Sequence, residues 1–197
     1  MTDSATSTDN KGMAVPLAAF AAGAAIAVII GVFGRAHDPT LDGTTTLGFH
    51  TVIQMKVIVS TVVFVCVLFQ GFSALVIYGK LPIKAPPWLG KAHRASGGLA
   101  LVLALFVAYH CLWALGLEWG TIHSGEKVGA RTVIHGLLGC AVFGAVAVKI
   151  AAVRAKKAPG WFLPVAGGLL FTLFVLIILT SAGWYYTNYG WPDSDSF

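Results

Sequence analysis

The chain has 197 residues, 57% of them hydrophobic and only 11% charged, with a mean hydropathy of +0.80. Soluble domains carry about a quarter charged residues, so the composition excludes one and indicates a single membrane-embedded bundle. The net charge of +5 does not indicate nucleic-acid binding, because the basic residues sit in short loops between apolar runs, the pattern of membrane topology.

Residues 1–12, MTDSATSTDNKG, read as a disordered polar cytoplasmic tail. About 20 apolar helical residues cross a hydrocarbon core of about 30 Å. Five runs reach that length, at about 14–34, 50–79, 94–117, 130–153 and 160–186, and residues 188–197 form a short outer tail. The predicted fold class is all-α, an integral membrane bundle of five transmembrane helices. The first run is too long for a signal-peptide core and reads as a retained anchor. The second is cleanly apolar only from Val57, which leaves His50 among the headgroups. The third opens on His93 and Arg94, shortly after KAPPW at 84–88. Lys149 interrupts the fourth and can snorkel to the interface. The fifth follows KAPGW at 157–161, the same interfacial chemistry used a second time, and helix starts are expected after these prolines.

Charge sets the expected orientation. Lys11, Lys80, Lys84, Lys91, Arg94, Lys149, Arg154, Lys156 and Lys157 fall on one side, against Arg35, Lys56, Lys127 and Arg131 on the other. Asp38, Asp42, Glu118, Glu126, Asp193 and Asp195 lie with the smaller basic set. The N-terminus is therefore expected in the cytoplasm and the C-terminus outside. Trp88 and Trp161 would mark the inner interface, and Trp113, Trp119, Trp184, Tyr185, Tyr186, Tyr189 and Trp191 the outer one. Cys66, Cys111 and Cys140 lie in apolar runs without a CxxC or CxxCH, which argues against zinc, a redox dithiol and c-type haem. They read as small hydrophobes.

The histidines carry the chemistry. His37 and His123 fall in outer loops and are expected to be solvated. His93 and His110 share the third span but lie about 25 Å and about 260° apart, so they cannot form one site. His135 lies roughly 5 Å, and His110 roughly 10 Å, below the outer boundary. Spans three and four are joined by a short loop and are expected to be neighbours. An ionisable residue inside a membrane is a functional hypothesis by default. Two imidazoles facing across a gap between helices suit a b-type haem. His110 and His135 are the expected axial ligands, with Gly136 and Gly139 making room for the macrocycle and Phe106 and Trp113 lining it. His93 and Arg94 are expected to contact headgroups or propionates. A third ligand for zinc is not visible, and no acid is placed to orient a catalytic base.

HRASGGLALVLALFVAYHCLWALG, RTVIHGLLGCAVFGAVAVK and PGWFLPVAGGLLFTLFVLIILTSAGWYY together resemble a bacterial family of five-span membrane domains of unknown function, over about residues 50–187. That family is distantly similar to cytochrome b and ferric-reductase-like transmembrane domains, where histidines on neighbouring helices hold haem. The resemblance implies ligand-like positions for His110 and His135. The inner histidine pair of those relatives is missing, which leaves one haem and puts transfer across the bilayer in doubt.

The expected function is thus a membrane b-type cytochrome of the inner membrane. One haem b near the outer face would exchange electrons with an outer-face carrier, with quinol, or with other membrane redox subunits of a larger complex. An electron-transfer protein is expected rather than a stand-alone enzyme. The competing expectation is a cofactor-free accessory or assembly subunit of a respiratory or transport complex.

Overall fold

In a bilayer each backbone N–H and C=O must be satisfied within its own segment, so apolar runs of this length become helices. The computed structural model describes residues 3–40, 42–117 and 127–192, with side chains from Gly12 onward. Glu118, Trp119, His123, Glu126, Asp193 and Asp195, which enter the expectations above, lie outside the described residues. The described chain is all-helical: α1 (Asp3–Ala36), α2 (Val52–Ile77), α3 (Leu89–Tyr109), α4 (Ala130–Arg154), α5 (Phe162–Ile178) and α6 (Trp184–Tyr189). Helix α3 runs on as a π-helical turn, His110–Leu115, and a second π-helical turn, Leu179–Gly183, joins α5 to α6. Five of the resulting rods are long and apolar enough to cross a membrane: Gly12–Ala36, Val52–Ile77, Leu89–Leu115, Ala130–Arg154 and Phe162–Tyr189. The shortest has 25 residues, about 37 Å of helix against a hydrocarbon core of about 30 Å.

Helix α1 begins at Asp3, within the segment expected to be a disordered tail. Extending an already nucleated helix avoids the cost of starting one. The start of α2 is set by Thr51, whose hydroxyl accepts the N–H of Gln54 at 3.1 Å, while the Gln54 side chain accepts the N–H of His50 at 2.9 Å. This is a close variant of the capping box. The two proline motifs produce the same local structure. In KAPPW the N–H of Leu89 bonds to the carbonyl of Pro86 at 3.0 Å, and in KAPGW that of Phe162 bonds to Pro159 at 3.0 Å. Trp88 and Trp161 cap the following helices with nearly equal backbone angles.

Around the bundle the packed pairs run α1 on α4, α4 on α5, α5 on α2, and α2 on α3. The expected pairing of spans three and four is therefore corrected: α3 and α4 are not among the closely packed pairs. A short connection brings two helix ends together but does not decide which faces pack. Here α1 takes that side of α4. Gly23 and Gly144 cross so closely that a Cβ on Gly23 would lie 2.7 Å from the Gly144 carbonyl oxygen. Small residues permit this approach, and in lipid such packing replaces the missing hydrophobic drive between helices. Helix α3 is tied to α2 by polar contacts: Gln70 donates to the His93 carbonyl and to Ser96 Oγ, the latter at 2.7 Å.

The bundle has two faces, one holding the starts of α1, α3 and α5 and one holding the end of α1 and the tyrosine-rich α6; they are called the amino-terminal and carboxy-terminal faces. At the carboxy-terminal face α1 swings over the end of α3, where Leu117 N donates to Gly34 O at 2.8 Å and Thr40 N to Trp113 O at 3.1 Å. Gly116 makes the turn with φ 68°, a conformation that disfavours side chains. At mid-depth Val63, Val67, Ala100, Val142 and Phe174 bring α2, α3, α4 and α5 into one cluster.

The α1–α4 crossing gives a first prediction. Gly144→Leu drives a side chain into the backbone of α1 and lowers stability by about 1–3 kcal/mol, the usual cost of overpacking. A lower melting temperature of the detergent-solubilised protein checks it, and an unchanged one would show that the helices do not meet there.

Candidate intramembrane binding site

Toward the carboxy-terminal face, above the mid-depth cluster, α2, α3, α4 and α5 enclose a cavity of about 520 Å³. That volume is in the range of small-molecule sites. Helices α3 and α4 are not among the closely packed pairs, and α1 also reaches the cavity, through Ile30. Its body is apolar, with Val107 and Ala108 from α3, Phe143 from α4, and Phe174 and Ile178 from α5. Its polar groups include Lys56 and Ser60 on α2, Arg131, Thr132 and His135 on α4, and Ser181 beyond α5, and Trp184 and Tyr185 of α6 also border it. Positions 56 and 60, and positions 131 and 135, are four residues apart, so each pair shares one helix face.

The two π-helical turns both contribute to this wall, through Cys111, Leu112 and Leu115 on one side and Ser181 and Ala182 on the other. Such turns inside α-helices often occur at functional positions, because the extra residue displaces side chains and frees backbone groups. Thr180 shows the effect. Its carbonyl accepts from Arg131 Nη1 at 2.8 Å, and the guanidinium also lies over the Trp184 ring, 3.8 Å from its centre. The Thr180 hydroxyl has one proton, given to the carbonyl of Ile177 at 3.0 Å or of Leu176 at 3.2 Å. Its oxygen therefore accepts from His135 Nδ1, 3.2 Å away. This assigns neutral His135 the tautomer protonated on Nδ1 and leaves Nε2 as an acceptor.

The structure separates the residues expected to share a haem. His135 lines the cavity together with Gly136 and Gly139. His110 does not line it. It is fully buried, with Nδ1 2.9 Å from the Phe106 carbonyl and Nε2 accepting the N–H of Thr45 at 3.2 Å. Because Nε2 accepts a backbone N–H it carries no proton, so Nδ1 donates and both nitrogens are committed. Phe106 packs on His110 with ring centres 4.6 Å apart. Trp113 stacks on His37 at 4.3 Å. Neither Phe106 nor Trp113 lines the cavity. The donor set therefore does not fit a bis-histidine haem, since the two imidazoles do not face one gap and one has no lone pair to give. His110 instead pins the loop after α1 onto α3.

The other described histidines have places of their own. His37, expected to be solvated, is half-buried between Phe33 and Trp113, with Nε2 3.2 Å from the Trp113 carbonyl. His50 is exposed. His93 sits near the amino-terminal face with Nδ1 2.7 Å from Ser73 Oγ, and Arg94 beside it is exposed. Ser73 donates to Phe69 O at 2.6 Å, so it accepts from His93, and this imidazole joins α3 to α2. Among the described residues no three His, Cys, Asp or Glu side chains cluster as metal ligands.

Lys56, Ser60, Thr180 and Ser181 were missed as site residues. Lys56 marked only a span boundary in the sequence, although a lysine at the start of an apolar run was visible. The Thr-Ser pair at 180–181 interrupts the most apolar span, and that interruption was the available signal.

Fold and cavity together define a multi-pass membrane protein with a ligand-sized pocket inside its helix bundle. The chain belongs to the family described as Family of unknown function (DUF6529), which it matches over residues 13–193. This agrees with the expected kinship to a family of unknown function, while nothing in the match carries the expected likeness to cytochrome b or ferric reductase. No curated protein and no solved structure matches the chain.

His110 yields a second prediction. His110→Leu leaves the Thr45 N–H and the Phe106 carbonyl without this partner and destabilises the protein by about 1–3 kcal/mol. His135→Leu, on the cavity wall, costs less. Thermal melts of the two variants in detergent check the order, and the reverse order would show that His110 is not the structural pin.

Proposed function

We propose that the protein is an intramembrane binding protein for an amphipathic, lipid-soluble ligand. The apolar body of the ligand would occupy the cavity and its polar head would meet His135. The observation that carries this reading is the cavity itself, about 520 Å³ of mostly apolar wall with its charged groups on α2 and α4. The charge asymmetry of the loops supports an orientation with the N-terminus in the cytoplasm, which would put the cavity in the outer leaflet, and the resemblance to a bacterial membrane family supports an inner-membrane location. Quinols belong to the ligand class such a cavity would take, and a role within a larger membrane complex fits this reading.

The experiment is mass spectrometry of the gently purified protein. An amphiphile is expected to co-purify at about one per chain. Gly139 lines the cavity, and a Cβ there meets Ile177 only at an ordinary 3.5 Å. Gly139→Leu is thus expected to fill the space and lower occupancy at least about tenfold, a change worth about 1.4 kcal/mol of binding. Equal occupancy in the two proteins would sink the proposal.

The cytochrome reading retains one supporting feature, a histidine on the cavity wall, and lacks the second ligand. A reduced-minus-oxidised spectrum of protein expressed with haem supplied is therefore expected to show no b-type α-band. A band that disappears in His135→Gln would replace the present proposal with a haem-binding one.

A further inference from the structure

The polar wall of the cavity has an uneven chemistry. Lys56 brings three donors and no acceptor, and Arg131 brings five donors and no acceptor. Of the Arg131 donors, Nη1 is spent on the Thr180 carbonyl, and the face of the guanidinium is spent on Trp184. Ser181 gives its proton to the Ile177 carbonyl at 2.8 Å. No aspartate or glutamate among the described residues lines the cavity, although two half-buried cations do. A cation near apolar surroundings with no counter-ion is costly, and an oxyanion placed between such groups offsets that cost. A neutral carbonyl or hydroxyl head would accept hydrogen bonds but bring no charge to offset those of Lys56 and Arg131.

We infer that the ligand of this cavity carries an anionic head, a carboxylate or phosphate-ester oxyanion on an acyl chain, held between Lys56 on α2 and Arg131 on α4. The inference rests on the cavity being a ligand site, as proposed above, and adds the chemical class. The head meets Lys56, Arg131 and His135 at the polar rim, and the chain lies along Val107, Phe143 and Ile178. Arginine and lysine play different parts here. Arg131 is pre-oriented by Thr180 and Trp184 and offers its remaining fork to a planar oxyanion, whereas Lys56 is a mobile point charge that follows the head.

The test uses the full chain, purified in non-ionic detergent and stripped of lipid, with three spin-labelled probes: stearic acid, its methyl ester, and phosphatidylglycerol. The immobilised fraction is read by electron paramagnetic resonance at a pH where the acid is ionised. One or both anionic probes are expected to bind at about one per chain, with the ester at least about tenfold weaker. Binding of stearate alone identifies a free acid as the source, and binding of phosphatidylglycerol alone identifies a membrane lipid. Lys56→Gln is expected to weaken the anionic probes about tenfold without changing the ester, and Lys56→Arg to restore them. The melting temperature of lipid-stripped Lys56→Gln should not fall below that of the wild type, because among the described residues Lys56 makes no hydrogen bond or ion pair that the change would remove. Equal binding of acid and ester, both abolished by Gly139→Leu, would overturn the anionic head while leaving the cavity reading intact. Absence of binding by any probe, or binding that Gly139→Leu does not alter, would overturn both.

Discussion

Two glycines, Gly23 on α1 and Gly144 on α4, let the backbones of these helices touch, and the rest of the bundle is arranged around that crossing. Lipid offers apolar side chains as good an environment as another helix does, so association rests on close packing and on interhelical hydrogen bonds. Helix α4 spends one face on α1 at this crossing and another on α5, through the cluster of Ala19, Val148, Ala152, Phe162 and Ala166. Its third face, carrying His135, Gly136 and Gly139, borders the cavity, with Leu117 beyond the end of α3 lying close against Gly136. Helix α3 is held from the other side. Gln70, Ser73, His93 and Ser96 form a polar seam that fastens its amino-terminal half to α2. With each helix fastened to a different partner, the space between them stays open near the carboxy-terminal face.

Polar groups inside the bundle fall into two kinds, and the difference separates scaffold from site. His110, His93, Gln70 and Ser73 have their hydrogen-bonding capacity turned toward other protein groups, and each joins two parts of the chain. In a low-dielectric interior such bonds are stronger, and losing one partner is correspondingly costly. His135, Lys56 and Arg131 instead border the cavity, and only part of their capacity is used within the protein. The π-helical turn at 179–183 links the two kinds. It presents the Thr180 carbonyl to Arg131 and the Thr180 hydroxyl to His135, and so orients both residues of α4 from the neighbouring rod.

Much of this was legible in the sequence. The five spans follow from hydropathy, since length and apolarity alone decide what can become a helix in lipid. The echo between KAPPW and KAPGW predicted two equivalent helix starts, and the bonds at Pro86 and Pro159 are equivalent. Which helix packs on which was not legible. Loop length favours sequence neighbours, but Gly23 and Gly144 are 121 residues apart (144 − 23), on helices whose connection says nothing about their contact. His135 was found because an imidazole in an apolar run is conspicuous. His110 was conspicuous for the same reason, yet its partner Thr45 comes from a loop that crosses the face of the bundle, and no spacing rule exposes such a contact. Thr180 and Ser181 looked like ordinary hydroxyls bonding back to their own helix, which they also do.

The position of the cavity adds a last argument about its occupant. Apolar cavities enclosed in a soluble protein can stay empty, because water gains little by entering them. A transmembrane bundle is surrounded by acyl chains rather than by water, so an amphiphile would always be at hand to compete with an empty state. Phe174 and Val142 close the space below, within the mid-depth cluster, and Lys56 and Arg131 bound it above. An amphiphile entering from the bilayer would therefore find an apolar slot limited in depth, with fixed positive charge at the level where its own head must lie. Length and head charge would then be read together, the first by the closed floor and the second by the cationic rim.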